Sequence, residues 1–286
     1  MKQLRIFSVP LLLLLPAVPR MADAADSFTL AGKEIRVPVP EGFVRVTGDM
    51  PAVESFARQM HDPMNHTLAM YLLASDAPAA LRGQIPEMKR YHLLKVNRQT
   101  RDIMLGRREF AEMTAYLRDH LEQLAEDMPA AIEDAVAEIS AGIRREFAVD
   151  YDLKIADPVS FPAHLDTPDH FAFSMIMQVN ASSDGQHFQH PVAATASLVN
   201  AGGAVLSLYT YAPAEDLAWT RRVNQAWAED TIKNNDPPPA STRGFFRNIS
   251  GKNALIGAII GGVYALFAIL RRKPGAHTPH PPPTAS

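Results

Sequence analysis

The chain has no cysteine in 286 residues. That excludes disulfides, thiolate metal sites, CxxC redox pairs and cysteine nucleophiles together. Exported eukaryotic domains of this size usually carry disulfides, so an exported chain without any points to a bacterial envelope. Charge of one sign is also missing: 28 basic against 31 acidic residues leave a net charge of −3, which gives no pull toward nucleic acid. The signatures GxSxG, HExxH, GxGxxG and the P-loop pattern are absent, so no catalytic motif announces an activity. What remains is ordinary for a globular protein, 47% hydrophobic and 21% charged, and enough to build a packed core.

Long apolar runs are confined to the two ends. In MKQLRIFSVPLLLLLPAVPRMADAAD, Lys2 and Arg5 precede a short apolar stretch, and Ala22-Asp23-Ala24 offers a small-x-small cleavage site. This reads as a signal peptide over 1–24, because Pro10, Pro16 and Pro19 spoil a spanning helix and the run is too short for one. At the other end, 249–270 carries only Lys252 and Asn253 near its start and is charge-free from Ala254. That is long enough for one transmembrane helix. Arg271, Arg272 and Lys273 follow it, but Arg243, Arg247 and Lys252 lie on its other flank, so charge bias alone leaves the orientation open. The signal peptide sets it, since an exported N-terminal domain puts the tail inside. The expected topology is single-pass in the bacterial inner membrane, with the N-terminal domain in the periplasm and a short disordered tail, 271–286, in the cytoplasm. Gly257 and Gly261 form a GxxxG, a spacing that lets two helices pair in lipid and so implies a homodimer. The Pro-rich stretch 235–248, with Pro237 to Pro239, reads as a stiff spacer lifting the domain off the bilayer.

Between the ends, 25–234 reads as one soluble domain. Ser27–Val39 suggests two short strands about a turn at Ala31-Gly32-Lys33. Another extended piece begins at PEGFVRV, and His66–Ser75 suits a strand buried on both faces. Leu81–Met104 is mixed, and its stretch YHLLKVNRQ fits helix or strand equally. Phe110, Met113, Leu117, Leu121 and Leu124, then Ile132, Val136, Ile139, Ile143 and Phe147 recur at helical spacing. With Pro129 between the two sets, this is either two helices or one kinked helix. Ala172–Val179, Val192–Asn200 and Val205–Tyr211 read as strands, the last two joined through Gly202-Gly203. A final helix spans Ala214–Lys233, with Trp219 and Trp227 on roughly one face. Strands, helices, an antiparallel run and a closing helix make an α+β domain, an antiparallel sheet packed against helices.

The phrases IRVPVPEGFVRV and ATASLVNAGGAVLSLYTY, together with the closing helix bearing Trp219 and Trp227, resemble the PsbP/Mog1-type α+β sandwich of bacterial envelope proteins. The resemblance covers Phe28 to Asn234. It implies binding or assembly rather than catalysis, and it carries no catalytic residues across.

The residues with most chemistry are histidines. His61-Asp62-Pro63-Met64-Asn65-His66 places two imidazoles and a carboxylate within six residues, and His187-Phe188-Gln189-His190 repeats an HxxH spacing on an expected loop. His61, Asp62, His66, His187 and His190 are the candidate metal ligands, a donor set suited to zinc, copper or nickel. The leading expectation is a membrane-anchored, periplasm-facing binding or assembly module with an envelope protein partner, no cofactor and no nucleic acid. The alternative is an anchored metal-dependent hydrolase in which the two histidine segments converge.

Overall fold

The computed structural model describes residues 25–59, 62, 64–183 and 185–242. The segments assigned above to signal peptide, membrane span (with Gly257 and Gly261) and tail lie outside the described residues, as does His61. Among the described residues no helix is long and apolar enough to cross a membrane.

The chain opens with a hairpin, β1 (Ala25–Leu30) and β2 (Lys33–Pro38), turning at Ala31-Gly32. The main sheet has seven strands in the order β3-β4-β5-β9-β8-β7-β6, every pair antiparallel. Its strands are β3 (Phe43–Arg45), β4 (Asn65–Leu73), β5 (Tyr91–Asn97), β6 (Tyr151–Thr167), β7 (His170–Ser183), β8 (Gln186–Ala201) and β9 (Ala204–Pro213). The expected α+β architecture, a large antiparallel sheet with helices packed on it, is what the molecule shows.

Each face of the sheet has its own core. One core gathers α1 (Pro51–Gln59), α2 (Ala77–Leu81) and α3 (Arg107–Phe147) over Leu93, Met175, Met177, Tyr209 and Tyr211. The other gathers the β1–β2 hairpin and α4 (Leu217–Lys233) over Tyr71, Leu94, Val199, Leu206 and Leu208. Where both faces are covered, strands are buried at every position, as in β5 from Tyr91 to Asn97. This explains why YHLLKVN showed no decisive period: a strand covered on both sides need not alternate.

The helical stripe from Phe110 to Phe147 resolves into one helix of 41 residues that passes through Pro129, roughly 60 Å long at 1.5 Å per residue. Ala148, at φ 50°, ends it, and Arg144 Nη1 donates to Tyr151 O at 2.6 Å where the chain turns into β6. Strand β6 was not legible in the sequence. Pro158 and Pro162 interrupt it, Asp157 sits at φ 51°, and its register shifts between Ala156 and Val159 and again between Phe161 and Leu165. Proline is tolerated because β6 is an edge strand, where a missing N–H costs no ladder bond. The short helix α1 also escaped, although Pro51 at its first position suits a helix start.

Strands β6, β7 and β8 run on past α4 as an arm. Burial along β7 records the boundary: His170 to Met175 are buried without interruption, whereas from Ile176 onward only Met177 and Val179 are buried. Those two belong to the core under α3. On the opposite face, among the described residues, Gln178, Asn180 and Ser182 are half-buried and His187 and Gln189 exposed, so that face is open there.

Candidate functional site

The structure keeps the two histidine segments apart. The sheet register places His66 in one row with Val96, Leu206, Val199 and His170. His190 and His187 lie 9 and 12 residues beyond Val199 on β8, roughly 30 and 40 Å away at about 3.3 Å per residue. They also sit on a strand rather than the expected loop, paired as His187 with Ser182 and His190 with Val179. Side chains three apart on a strand point to opposite faces, so His187 and His190 cannot chelate one ion.

Asp62 is already saturated. Its Oδ1 accepts the backbone N–H groups of Met64 and Asn65, both at 3.0 Å, and its Oδ2 accepts Asn65 Nδ2 and Lys95 Nζ, both at 2.9 Å. A carboxylate has about four lone-pair positions, and all four are in use. Beside it, His66 has its pKa lowered by burial and by the charges of Arg98 and Arg101; Arg98 Nη1 lies 3.4 Å from its Nε2. Cations so close oppose a bound metal ion. Among the described residues no group of three or more histidines or carboxylates is placed to hold one.

What the structure adds at this point is Lys95. Its ammonium and the Asp62 carboxylate are both 1% exposed, and burial lowers the lysine pKa against the pull of Asp62. Breaking such a pair strands a charge in the core, so the two residues hold the entry of β4 onto β5 as a unit. A lone lysine inside the apolar run YHLLKVN was the available signal, since lysine is rarely buried unless paired.

A second polar cluster lies between α4 and the sheet, almost completely buried at Ser174, Thr195, Ser197, Thr210, Thr220 and Asn224 and half-buried at Arg221. Arg221 Nε donates to Ser174 Oγ at 3.1 Å. Ser174, Thr195 and Thr220 follow hydroxyl to hydroxyl at 2.9 and 2.8 Å, and Thr220 donates to Leu217 O at 2.8 Å. Asn224 donates to Leu208 O and Thr210 Oγ1, both at 3.0 Å, and accepts Ser197 Oγ at 2.5 Å.

His170 Nε2 lies 2.7 Å from Ser197 Oγ, the contact a serine nucleophile and its base would make. The protons run the wrong way for that chemistry. The single hydroxyl proton of Ser197 is committed to Asn224, so His170 must donate to the oxygen rather than receive from it. Burial holds His170 near pKa 4 and His92 near 3, the latter with Nδ1 2.8 Å from Thr210 Oγ1. Both imidazoles are neutral, and the network fixes α4 on the sheet.

The third cluster overturns an expectation about the linker. Residues 235–242 do not stand off the domain; they are bound to it. Asn235 exchanges two hydrogen bonds with the backbone of Arg36, at 2.9 and 2.7 Å. The first N–H groups of α3 then find acceptors in this strap: Arg107 N on Pro239 O at 2.9 Å, Arg108 N on Ala240 O at 3.1 Å and Gly106 N on Thr242 Oγ1 at 3.2 Å. The physical reason is the helix itself. Its N-cap is Gly106, which has no side chain to cap with, so the free N–H groups must be satisfied from elsewhere.

Glu109 completes the cluster by accepting Ser241 Oγ at 2.5 Å and Thr242 N at 3.0 Å. Although burial opposes ionisation, these hydrogen bonds and Arg108 hold its pKa down to about 2. A Cβ on Gly106 would lie 2.4 Å from Ser241 Cα, so the glycine is what allows the strap to approach.

Asp166 and Asp169, at the β6–β7 turn, serve the frame. Asp169 takes Arg107 at 2.9 to 3.1 Å, and Asp166 takes Arg118. Trp227 is buried against Tyr71 and His92, with ring centroids 5.6 and 5.1 Å away, while the half-buried Trp219 lies under Arg90. Compared with models of known protein families the chain matches none, and no curated protein matches it either.

Proposed function

We propose that this protein is an exported binding or assembly module, held at the bacterial inner membrane by a helix over 249–270, with its domain in the periplasm and its tail in the cytoplasm. The observation that carries the binding reading is the open face of the arm. Asp152, Ser182 and His187 share one row across β6, β7 and β8, followed by Lys154, Asn180 and Gln189. These are hydrogen-bonding groups on a rigid sheet, available to an envelope protein partner. An antiparallel sheet between helices supports kinship with the PsbP/Mog1-type sandwich at the level of fold alone. A GxxxG at Gly257 and Gly261 adds a means of pairing two copies in the membrane. The hydrolase alternative gains nothing from the geometry, because its two histidine segments do not meet.

Intact mass of the membrane-extracted protein, with protease protection on spheroplasts, tests the topology. A mass lacking 1–24, with the domain digested and the tail protected, is the expected result. A full-length mass with the domain protected would overturn it.

A further inference from the structure

The strap fixes Thr242, the last described residue, at one end of the domain. Thr242 is tied down by three hydrogen bonds, to Gly106 N, Met104 O and Glu109 Oε2. Six residues, 243–248, separate it from Ile249, seven chain steps with a reach of at most roughly 25 Å. The same end gathers the β1–β2 turn, the β5–α3 loop and the β8–β9 turn. Ala31 N donates to Arg101 O at 3.0 Å, Leu105 N to Gly203 O at 2.8 Å and Lys33 Nζ to Gly202 O at 3.2 Å.

This end carries Lys33, Arg98, Arg101, Arg107 and Arg108 against Asp102, Glu109, Glu112, Asp169 and Asp236, the last with its backbone beside Gly202. Arg107 is matched by Asp169, and Arg108 by Glu109 and Glu112. Arg98 and Arg101 are exposed and have no carboxylate partner among the described ion pairs. Arg243 and Arg247 follow in the connecting sequence.

We propose that this end of the domain lies on the membrane surface, with Arg98 and Arg101 against the phosphates of anionic lipid. Basic residues near an anionic leaflet are attracted within about a Debye length, about 10 Å at ordinary ionic strength. A tether of at most roughly 25 Å holds this end near the surface and allows the arginines to come within that range. Along β8 the arm tip then stands roughly 50 Å further out, counting the 15 steps from Ala201 to Gln186. The orientation rests on the anchored reading above.

Because the chain has no cysteine, single labels are clean. Full-length Gln99→Cys and Gln186→Cys, each carrying a fluorophore, are reconstituted into vesicles containing phosphatidylglycerol and a lipid with a nitroxide on its headgroup. Loss of most of the Gln99→Cys signal with the Gln186→Cys signal retained is expected. Equal quenching, or quenching at Gln186→Cys alone, overturns the orientation. A protein that leaves the bilayer in a carbonate wash overturns the anchored reading itself, a separable failure. In R98Q/R101Q, the extra quenching on phosphatidylglycerol over phosphatidylcholine vesicles should disappear; if it persists, the role given to the two arginines is wrong.

Discussion

Strands β7 and β8 each pass through two environments. In the body they lie between α3 and α4, and every residue from Val192 to Ala201 is buried. In the arm they have a helix on one side only, and Gln186 to Pro191 are exposed or half-buried. The polar residues differ accordingly. In the body they are His170, Ser174, Thr195, Ser197 and Asn200, each with a partner on α4, a neighbouring strand or the β5–α3 loop. In the arm they include Gln178, Asn180 and Ser182, which are half-buried, and His187 and Gln189, which are exposed. Cover dictates the inventory: a buried polar group must bring its partner with it, and an uncovered one need not.

This contrast can be broken most directly by truncation. Trp227→Ala removes a buried ring and the 2.8 Å bond from its Nε1 to Pro38 O, and should cost about 3–5 kcal/mol in urea unfolding. Phe188→Ala on the half-buried arm should cost under about 1 kcal/mol; similar losses would mean that the arm is as tightly bound as the body.

The Lys95–Asp62 pair sharpens the same point. Lys95→Met should destabilise by about 3–5 kcal/mol by leaving a buried carboxylate unpaired, and adding Asp62→Asn should recover much of it.

Acid should attack the body next. His92 and His170 have folded pKa values near 3 and 4, below the ordinary 6.5. Between these limits the unfolded chain binds protons that the folded chain refuses. Stability is therefore full above pH 6.5 and falls as pH drops toward 4, by on the order of a few kcal/mol. The slope of unfolding free energy against pH measures this, and His170→Gln should flatten it.

The strap is a weaker attachment. Glu109→Ala should cost about 1–3 kcal/mol and speed trypsin cleavage at Arg243. Glu109 ionises in the folded state near pH 2 against an ordinary 4.5, so its contribution is present above about pH 4.5 and lost as pH falls through 2. The smallest effect belongs to hydrogen exchange. Amides of 177–182 should exchange faster than those of 170–175 although both segments pair on both edges, since the arm opens at lower free energy.

The strands that announced themselves were those with a local signal. The β1–β2 turn has Gly32 at φ 74° and the β8–β9 turn has Gly202 and Gly203 at 64° and 99°, glycines suited to positive φ. Helix α3 showed its apolar stripe over the full length, with only the passage through Pro129 undecided. Strand β5 stayed ambiguous and β6 invisible because their identity depends on neighbours. One is covered on both faces; the other has edge-strand prolines and two register shifts that destroy any period.

The same division holds for the candidate residues. The histidine clusters stood out by composition, and the strand period then turned His187 and His190 away from each other. Lys95 was visible as an oddity, its partner Asp62 was not, and Glu109 looked like any charge on a helix face.

Local chemistry therefore determined the elements of this protein: its turns, the amphipathic stripe of its long helix, the apolar runs at its ends and the absence of thiol chemistry. These follow from side-chain volume, polarity and backbone freedom, which neighbouring residues suffice to express. The tertiary structure alone decided which polar groups meet. Asp62 finds Lys95 across 33 residues and Glu109 finds Ser241 across 132, and such pairings depend on the register of strands and the docking of a strap far away in the chain.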